Sequence, residues 1–250
     1  MIRNPILKVL STLHSHQVKF LLIGGQACIL YGGAEFSRDT DIAILADEEN
    51  LLKLKNALIE LKAEVIAVPQ LDLSYLKRGH AVHFRCHASD AEDIRLDVMS
   101  KLRGVAPFET LWERRTTVEL ADGMQLNLLS LPDLIAAKKT HRDKDWPQIR
   151  RLVEADYASS PENPHENQIR LWYKEARSPE ILLDLSRRYP DLCKEIATQR
   201  PLLNLLPDAN EEELLSALQD EEKAERERDR QYWIPLRKEL ESFRHDDKCA

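Results

Sequence analysis

Two carboxylates stand one residue apart in "GGQACILYGGAEFSRDTDIAIL", residues 24 to 45: Asp39 and Asp41. The same stretch holds four of the seven glycines in this 250-residue chain, as Gly24-Gly25 and Gly32-Gly33. On a strand, residues i and i+2 point to one face. Asp39 and Asp41 therefore share a face, and Thr40, Ile42 and Ile44 take the other. The Cα atoms of such a pair lie about 6.6 Å apart, so both side chains can lean onto a hard cation that prefers oxygen ligands. Without compensation, like charges side by side on a strand repel. The glycines come just before. The apolar run "VKFLLIGG" has the pattern of a strand buried on both faces. It ends in Gly24-Gly25 and turns into "QACILY", about two helical turns closed by Gly32-Gly33. Free backbone N–H groups at a helix start, with no side chains in the way, admit an anion. The glycines alone fit a tight turn without a ligand equally well. Neither GxxxxGK[ST] nor GxGxxG is present.

A third carboxylate lies in "DIRLDVM". Ile94, Leu96 and Val98 take one face of that strand, and Asp93, Arg95 and Asp97 the other. A carboxylate at the middle of a strand, as Asp97 is, is disfavoured without a partner. If this strand neighbours residues 40–45, then Asp39, Asp41 and Asp97 form a triad. With nucleotide phosphates it would hold two Mg²⁺ ions, or Mn²⁺, for in-line phosphoryl transfer.

Gly24-Gly25, thirteen intervening residues and "DTDI" together resemble the nucleotidyltransferase superfamily of the DNA polymerase β type. Its signature is a hydrophobic residue, Gly-Gly or Gly-Ser, a spacer, Asp-x-Asp or Asp-x-Glu, and a third carboxylate on a later strand. The resemblance covers residues 18 to 100. It implies that Gly24 and Gly25 lie near the nucleotide phosphates. It also implies that Asp39, Asp41 and Asp97 hold the metals and do the catalytic work. Arg38, just before the pair, would contact a phosphate or pair with Asp39 or Glu35.

A second cluster lies in "KKTHRDKDW". Lys138, Arg142 and Asp145 are spaced by four and three, so they share a face if one helix runs through them. Neighbouring helix positions are about 100° apart, which puts Lys138 rather than Lys139 on that face. Lys138 and Arg142 could neutralise a triphosphate. The segment "LSLPDLIAAKKTHRDKDWPQIRRL" resembles the corresponding helix and turn of abortive-infection toxins of the AbiEii type and related bacterial nucleotidyltransferases. That resemblance implies active-site roles for Lys138 and Asp145, with Arg142 and Lys144 supporting nucleotide binding. Asp145 before Trp-Pro equally fits a helix cap.

These residues need a scaffold. Ile6, Val9, Leu10 and Leu13 mark one face of an N-terminal helix, and Asp47 is placed to cap a helix whose apolar face carries Leu51, Leu54, Leu58 and Leu61. "AEVIAV" has strand character. "HAVHFRC" with "DIRLDVM", and "TTVEL" with "MQLNLLS" around "ADG", pattern as antiparallel hairpins. Pro132 and Asp133 start a helix through "DLIAAKKTHRDK", and a second follows at 146–157. "ASSPENPHENQ", residues 158 to 168, reads as a linker. Everything after it is helical, with one long charged helix interrupted or bent near Pro235. The fold class is α/β (α+β). A mixed-sheet nucleotidyltransferase core occupies residues 1–157, and a smaller helical domain 158–250.

Hydrophobic residues at 43% and charged residues at 32% fit an ordinary soluble protein. No apolar run is as long as a membrane span, and the N-terminus lacks the pattern of a secretory signal. Cys28, Cys86, Cys193 and Cys249 form no CxxC pair and are expected as reduced thiols of a cytoplasmic protein. His80, His83 and His87 do not suit one metal, because four strand residues separate the last two by about 13 Å. Surface or core positions are expected for them. Trp172, Tyr173, Tyr232 and Trp233 are expected to dock helices. The net charge of −7 argues against a broad nucleic-acid surface.

The leading expectation is a Mg²⁺-dependent nucleotidyltransferase that moves an NMP unit from an NTP, such as ATP, to an RNA (a tRNA end), a protein or a small molecule. A toxin-like role is included. The alternative is a non-catalytic relative that binds a nucleotide or a partner protein through the C-terminal helices, as one half of a toxin–antitoxin pair. Three carboxylates argue against it, since a pure binding module has little use for them.

Overall fold

The computed structural model describes residues 4–120, 123–160, 162–206 and 210–249. Its strands are β1 (Phe20–Ile23), β2 (Thr40–Ile44), β3 (Glu64–Val65), β4 (Val82–Arg85), β5 (Arg95–Met99), β6 (Thr116–Glu119) and β7 (Gln125–Leu128). They form one mixed sheet in the order β3-β4-β5-β2-β1-β7-β6. β1 is buried at all four positions, as a central strand covered on both faces must be. β2 runs antiparallel to β1, with Ile23 level with Asp41. β5 lies parallel to β2 on its other side. β4 with β5 and β6 with β7 are the two expected hairpins. The "ADG" turn of the second lies partly outside the described residues, at 121 and 122.

The helices are α1 (Asn4–Ser15), α2 (Gly24–Leu30), α3 (Glu48–Glu60), α4 (Leu73–Arg78), α5 (Phe108–Glu113), α6 (Leu131–Lys138), α7 (Asp145–Ser159), α8 (Glu166–Glu175), α9 (Pro179–Arg188), α10 (Pro190–Ala197) and α11 (Glu211–Cys249). The fold class is mixed α/β. Ile6, Val9, Leu10 and Leu13 of α1 are buried, as are Leu51, Leu54, Leu58 and Leu61 along and just after α3. Asp47 caps α3 by accepting from Asn50 N at 2.7 Å. None of the helices described is long and apolar enough to cross a membrane.

The chain forms two compact units. The first comprises residues 1–30, 35–137 and 232–250 and holds the whole sheet; the second comprises 31–34 and 138–231. Within the first unit, residues late in α11 reach α4 and the residues after it. Glu239 Oε2 stands 2.6 Å from His80 Nε2 and also pairs with Arg78. Phe243 packs edge-on against Tyr75, ring centroids 5.0 Å apart. Within the second unit, Trp172 and Tyr173 are buried; Trp172 donates to Asp156 and Tyr173 to the Tyr189 carbonyl.

Four local readings change. The "AEVIAV" strand shrinks to two paired residues at the sheet edge, Glu64 with Arg85 and Val65 with Phe84. α2 starts at Gly24, so both glycines lie in its first turn. The helix through "DLIAAKKTHRDK" stops at Lys138, and α7 begins at Asp145. Thr140 N donates to the Lys138 carbonyl instead of continuing the helical ladder, so Lys138, Arg142 and Asp145 do not share one helical face. α11 is assigned as one helix through Pro235. Proline has no N–H for the carbonyl four residues back, and that residue, Gln231, is the last of the second unit.

Candidate active site

The parallel pairing of β2 with β5 sets Asp41 level with Asp97. Neighbouring strands lie about 4.8 Å apart, and level residues share a face. Asp39, two residues before Asp41, lies in the bend just before β2. On the other face, Thr40 is buried level with Leu96, and its hydroxyl has no partner among the described residues. Backbone register thus brings Asp41 and Asp97 together, and Asp39 lies just before β2.

Gly24 completes this corner. Its φ is +64°, a left-handed conformation that disfavours any residue with a Cβ. A Cβ there would lie 2.0 Å from Asp41 Oδ2, and one on Gly25 would lie 2.4 Å from Ser37 Oγ. The glycines leave the room that Asp41 and Ser37 fill. Gln26, buried one residue later, donates to the carbonyls of Ser37 and Asp39 and holds the approach to β2. Arg38 is exposed and its guanidinium lies over the Phe36 ring at 5.9 Å.

Two side chains not singled out for the site meet Asp97. Arg95 Nε donates to Asp97 Oδ1 at 2.8 Å. His83, level with Asp97 across the β4–β5 pair, places Nδ1 at 2.9 Å from the same oxygen and 3.1 Å from Arg95 Nη2. A protonated Nδ1 donates to Asp97; an unprotonated one accepts from Arg95. Burial works against the Asp97 charge, but the hydrogen bonds from His83 and Arg95 outweigh it and hold the carboxyl below its usual range. Arg95 is pushed up, first by its bond to Asp97 and further by the charges of Asp97, Asp39 and Asp41.

The donor set suits a hard divalent cation: carboxylate oxygens on adjacent strands beside backbone without side chains. As the side chains are turned, no group of three His, Cys, Asp or Glu residues among those described is gathered around one metal position. Asp97 faces Arg95 and His83 instead.

The second cluster is a folded turn. Lys138, buried, donates to Asp145 Oδ1 at 3.1 Å and to Gln148 Oε1 at 2.7 Å. Asp145 is fully buried and also accepts from Thr140 Oγ1 and, at 2.7 Å, from Arg142 Nε. Burial opposes its charge, yet the Lys138 ammonium, the Thr140 hydroxyl and Arg142 hold its carboxyl below the usual range. As the first residue of α7, it turns its side chain back to this turn and does not cap the helix. Arg142 and Lys144 are exposed, while Lys139 pairs with Glu175. Asp229 of α11 is buried and accepts from both His141 N and Nδ1, at 2.7 and 2.6 Å. Its charge is thus spent on fixing the turn from within the second unit.

No family model and no curated protein matches the chain. Solved structures similar to it include the lincosamide antibiotic adenylyltransferase LnuA in its lincomycin-bound form. That likeness has 14% identity and a TM-score of 0.44, over 61% of this chain and 96% of that one. A nucleotidyltransferase from H. pylori, so assigned only provisionally, has 15% identity and a TM-score of 0.39 over 91% of this chain and 94% of that one. The antibiotic-resistance factor ANT(2'')-Ia has 13% identity and a TM-score of 0.34 over 88% and 92%.

Proposed function

We propose that the chain is a divalent-metal-dependent nucleotidyltransferase that moves an NMP unit from an NTP to an acceptor, with release of pyrophosphate. The observation that carries this reading is Asp41 set level with Asp97 beside backbone kept bare by Gly24. Bound Mg²⁺ or Mn²⁺ would neutralise charge at the phosphates and favour attack on the α-phosphorus. Asp39 and Asp41 would hold the metals, and Asp97 would hold one of them and orient the acceptor. Gly24 and Gly25 would lie near the phosphates, where their bare backbone lets Asp41 and Ser37 pack close. Arg38, which is exposed, would contact a phosphate. Lys138 and Asp145 compensate each other and keep the turn that carries Arg142 and Lys144 in shape. The acceptor is an RNA such as a tRNA end, a protein or a small molecule. A toxin-like role with a protein partner on the C-terminal helices belongs to the same reading.

The test is incubation of the protein with each α-labelled NTP, Mg²⁺, total RNA and a cell extract, followed by separation of RNA, protein and small molecules. Label should enter one fraction and be absent when Asp41→Asn replaces the wild type. No transfer with any NTP, or equal transfer by the variant, overturns the reading.

A further inference from the structure

Asp41 and Asp97, level on two adjacent strands, with Asp39 just before the first, repel unless something offsets them. Arg95 is placed to do so. It lies two residues before Asp97 on the same strand, so it shares the face of Asp97 and of Asp41, which the β2–β5 register sets level with Asp97. Its Nε donates to Asp97 at 2.8 Å, and the charges of Asp39 and Asp41 both act on it. The nearest cation in sequence to the Asp pair, Arg38, is turned over Phe36. Asp97 spends one oxygen, Oδ1, on both Arg95 and His83.

We propose that Arg95 is the built-in counter-cation of the carboxylate site. It holds Asp97 while no metal is bound and opposes the entry of a metal ion. The proposal rests on the metal-site reading of Asp39, Asp41 and Asp97. A fixed positive charge beside a cation site weakens cation binding, and it steadies the same carboxylates when the cation is absent. Arg95 is therefore a positioning residue with two opposite effects: it stabilises the metal-free protein and sets how much metal is needed to fill the site. The guanidinium is partly exposed, so solvent screening limits its reach.

Thermal melting in EDTA and across a Mn²⁺ titration, without nucleotide, tests this on wild type, Arg95→Gln and Arg95→Lys. Arg95→Gln should melt lower than wild type in EDTA. It should reach half of its Mn²⁺-dependent stabilisation at a concentration roughly three- to tenfold lower. Arg95→Lys, which keeps the charge, should stay near wild type. If Arg95→Gln does not fold in EDTA, recovery of a cooperative melt on adding Mn²⁺ supports the proposal, and failure to recover overturns it. An equal or higher Mn²⁺ requirement in Arg95→Gln overturns the proposal and leaves the metal site standing. No Mn²⁺ response in either protein overturns both.

Discussion

Gly24 and Asp41 meet so closely that a single methyl on Gly24 would lie 2.0 Å from Asp41 Oδ2. Gly24→Ala therefore has to move the carboxylate, and it also places a Cβ at a φ of +64°. The backbone strain alone costs about 1–3 kcal/mol. Denaturant melts should show that loss, and nucleotide transfer should fall by far more than the loss of folded protein explains. A variant that melts lower but transfers label normally would mean that Asp41 is not needed where Gly24 leaves it.

Asp145 supports a prediction about acid. Its carboxyl is held below the usual range in the folded state, so its contribution is fully present above the unfolded value, about 3.9. It is lost as the pH falls from there through the folded value. Asp145→Asn leaves the Lys138 ammonium buried without its counter-charge, a loss of about 3–5 kcal/mol at neutral pH. Melting curves from pH 7 to pH 3 should show a large deficit for the variant at neutral pH that narrows toward pH 3. Adding Lys138→Met should recover much of the deficit, because it removes the stranded charge.

Thr40 supports the opposite kind of change. Its hydroxyl is buried without a partner among the described residues, so Thr40→Val removes a desolvated group at nearly constant shape. The variant should equal wild type or gain up to about 1 kcal/mol. A loss above that in urea melts would reveal a partner for the hydroxyl.

His80 is buried against Glu239, 159 residues along the chain. Ending the chain at Gln231 removes this pair and the Phe243–Tyr75 contact. Losing half-buried aromatic packing and stranding a buried polar group together cost about 2–4 kcal/mol. For a chain of this size that lowers Tm by roughly 4–16 °C, readable by calorimetry. An unchanged Tm would mean that the end of α11 contributes nothing to the sheet-bearing unit.

Local patterns were legible in the sequence and long-range ones were not. Alternation in "HAVHFRC" and "DIRLDVM" placed both strands of the β4–β5 hairpin. The β2–β5 register that sets Asp41 level with Asp97 joins residues 56 positions apart, and no local pattern encodes it. His83 was expected to be an ordinary surface or core histidine. What could have drawn attention to it was the hairpin itself, since pairing its strands antiparallel sets His83 opposite Asp97. Asp229 carries no local signal at all. It lies in a run of charges that patterns as a solvated face, yet it is buried because His141 meets it from 88 residues away. The end of α6 at Lys138 was hidden for the same reason: Asp145 bonds back to Lys138 and Thr140, and that favours a turn over one more turn of helix.

The sheet-bearing unit is assembled from residues 1–30, 35–137 and 232–250. On a ribosome, every strand of the sheet and all three aspartates emerge well before the stretch of α11 that brings Glu239 to His80. The second unit, residues 138–231 apart from a short insert, is synthesised in between. The carboxylate site therefore cannot sit in a finished unit until residues 232–250 have emerged, and a chain arrested before them presents the aspartates on an incomplete support.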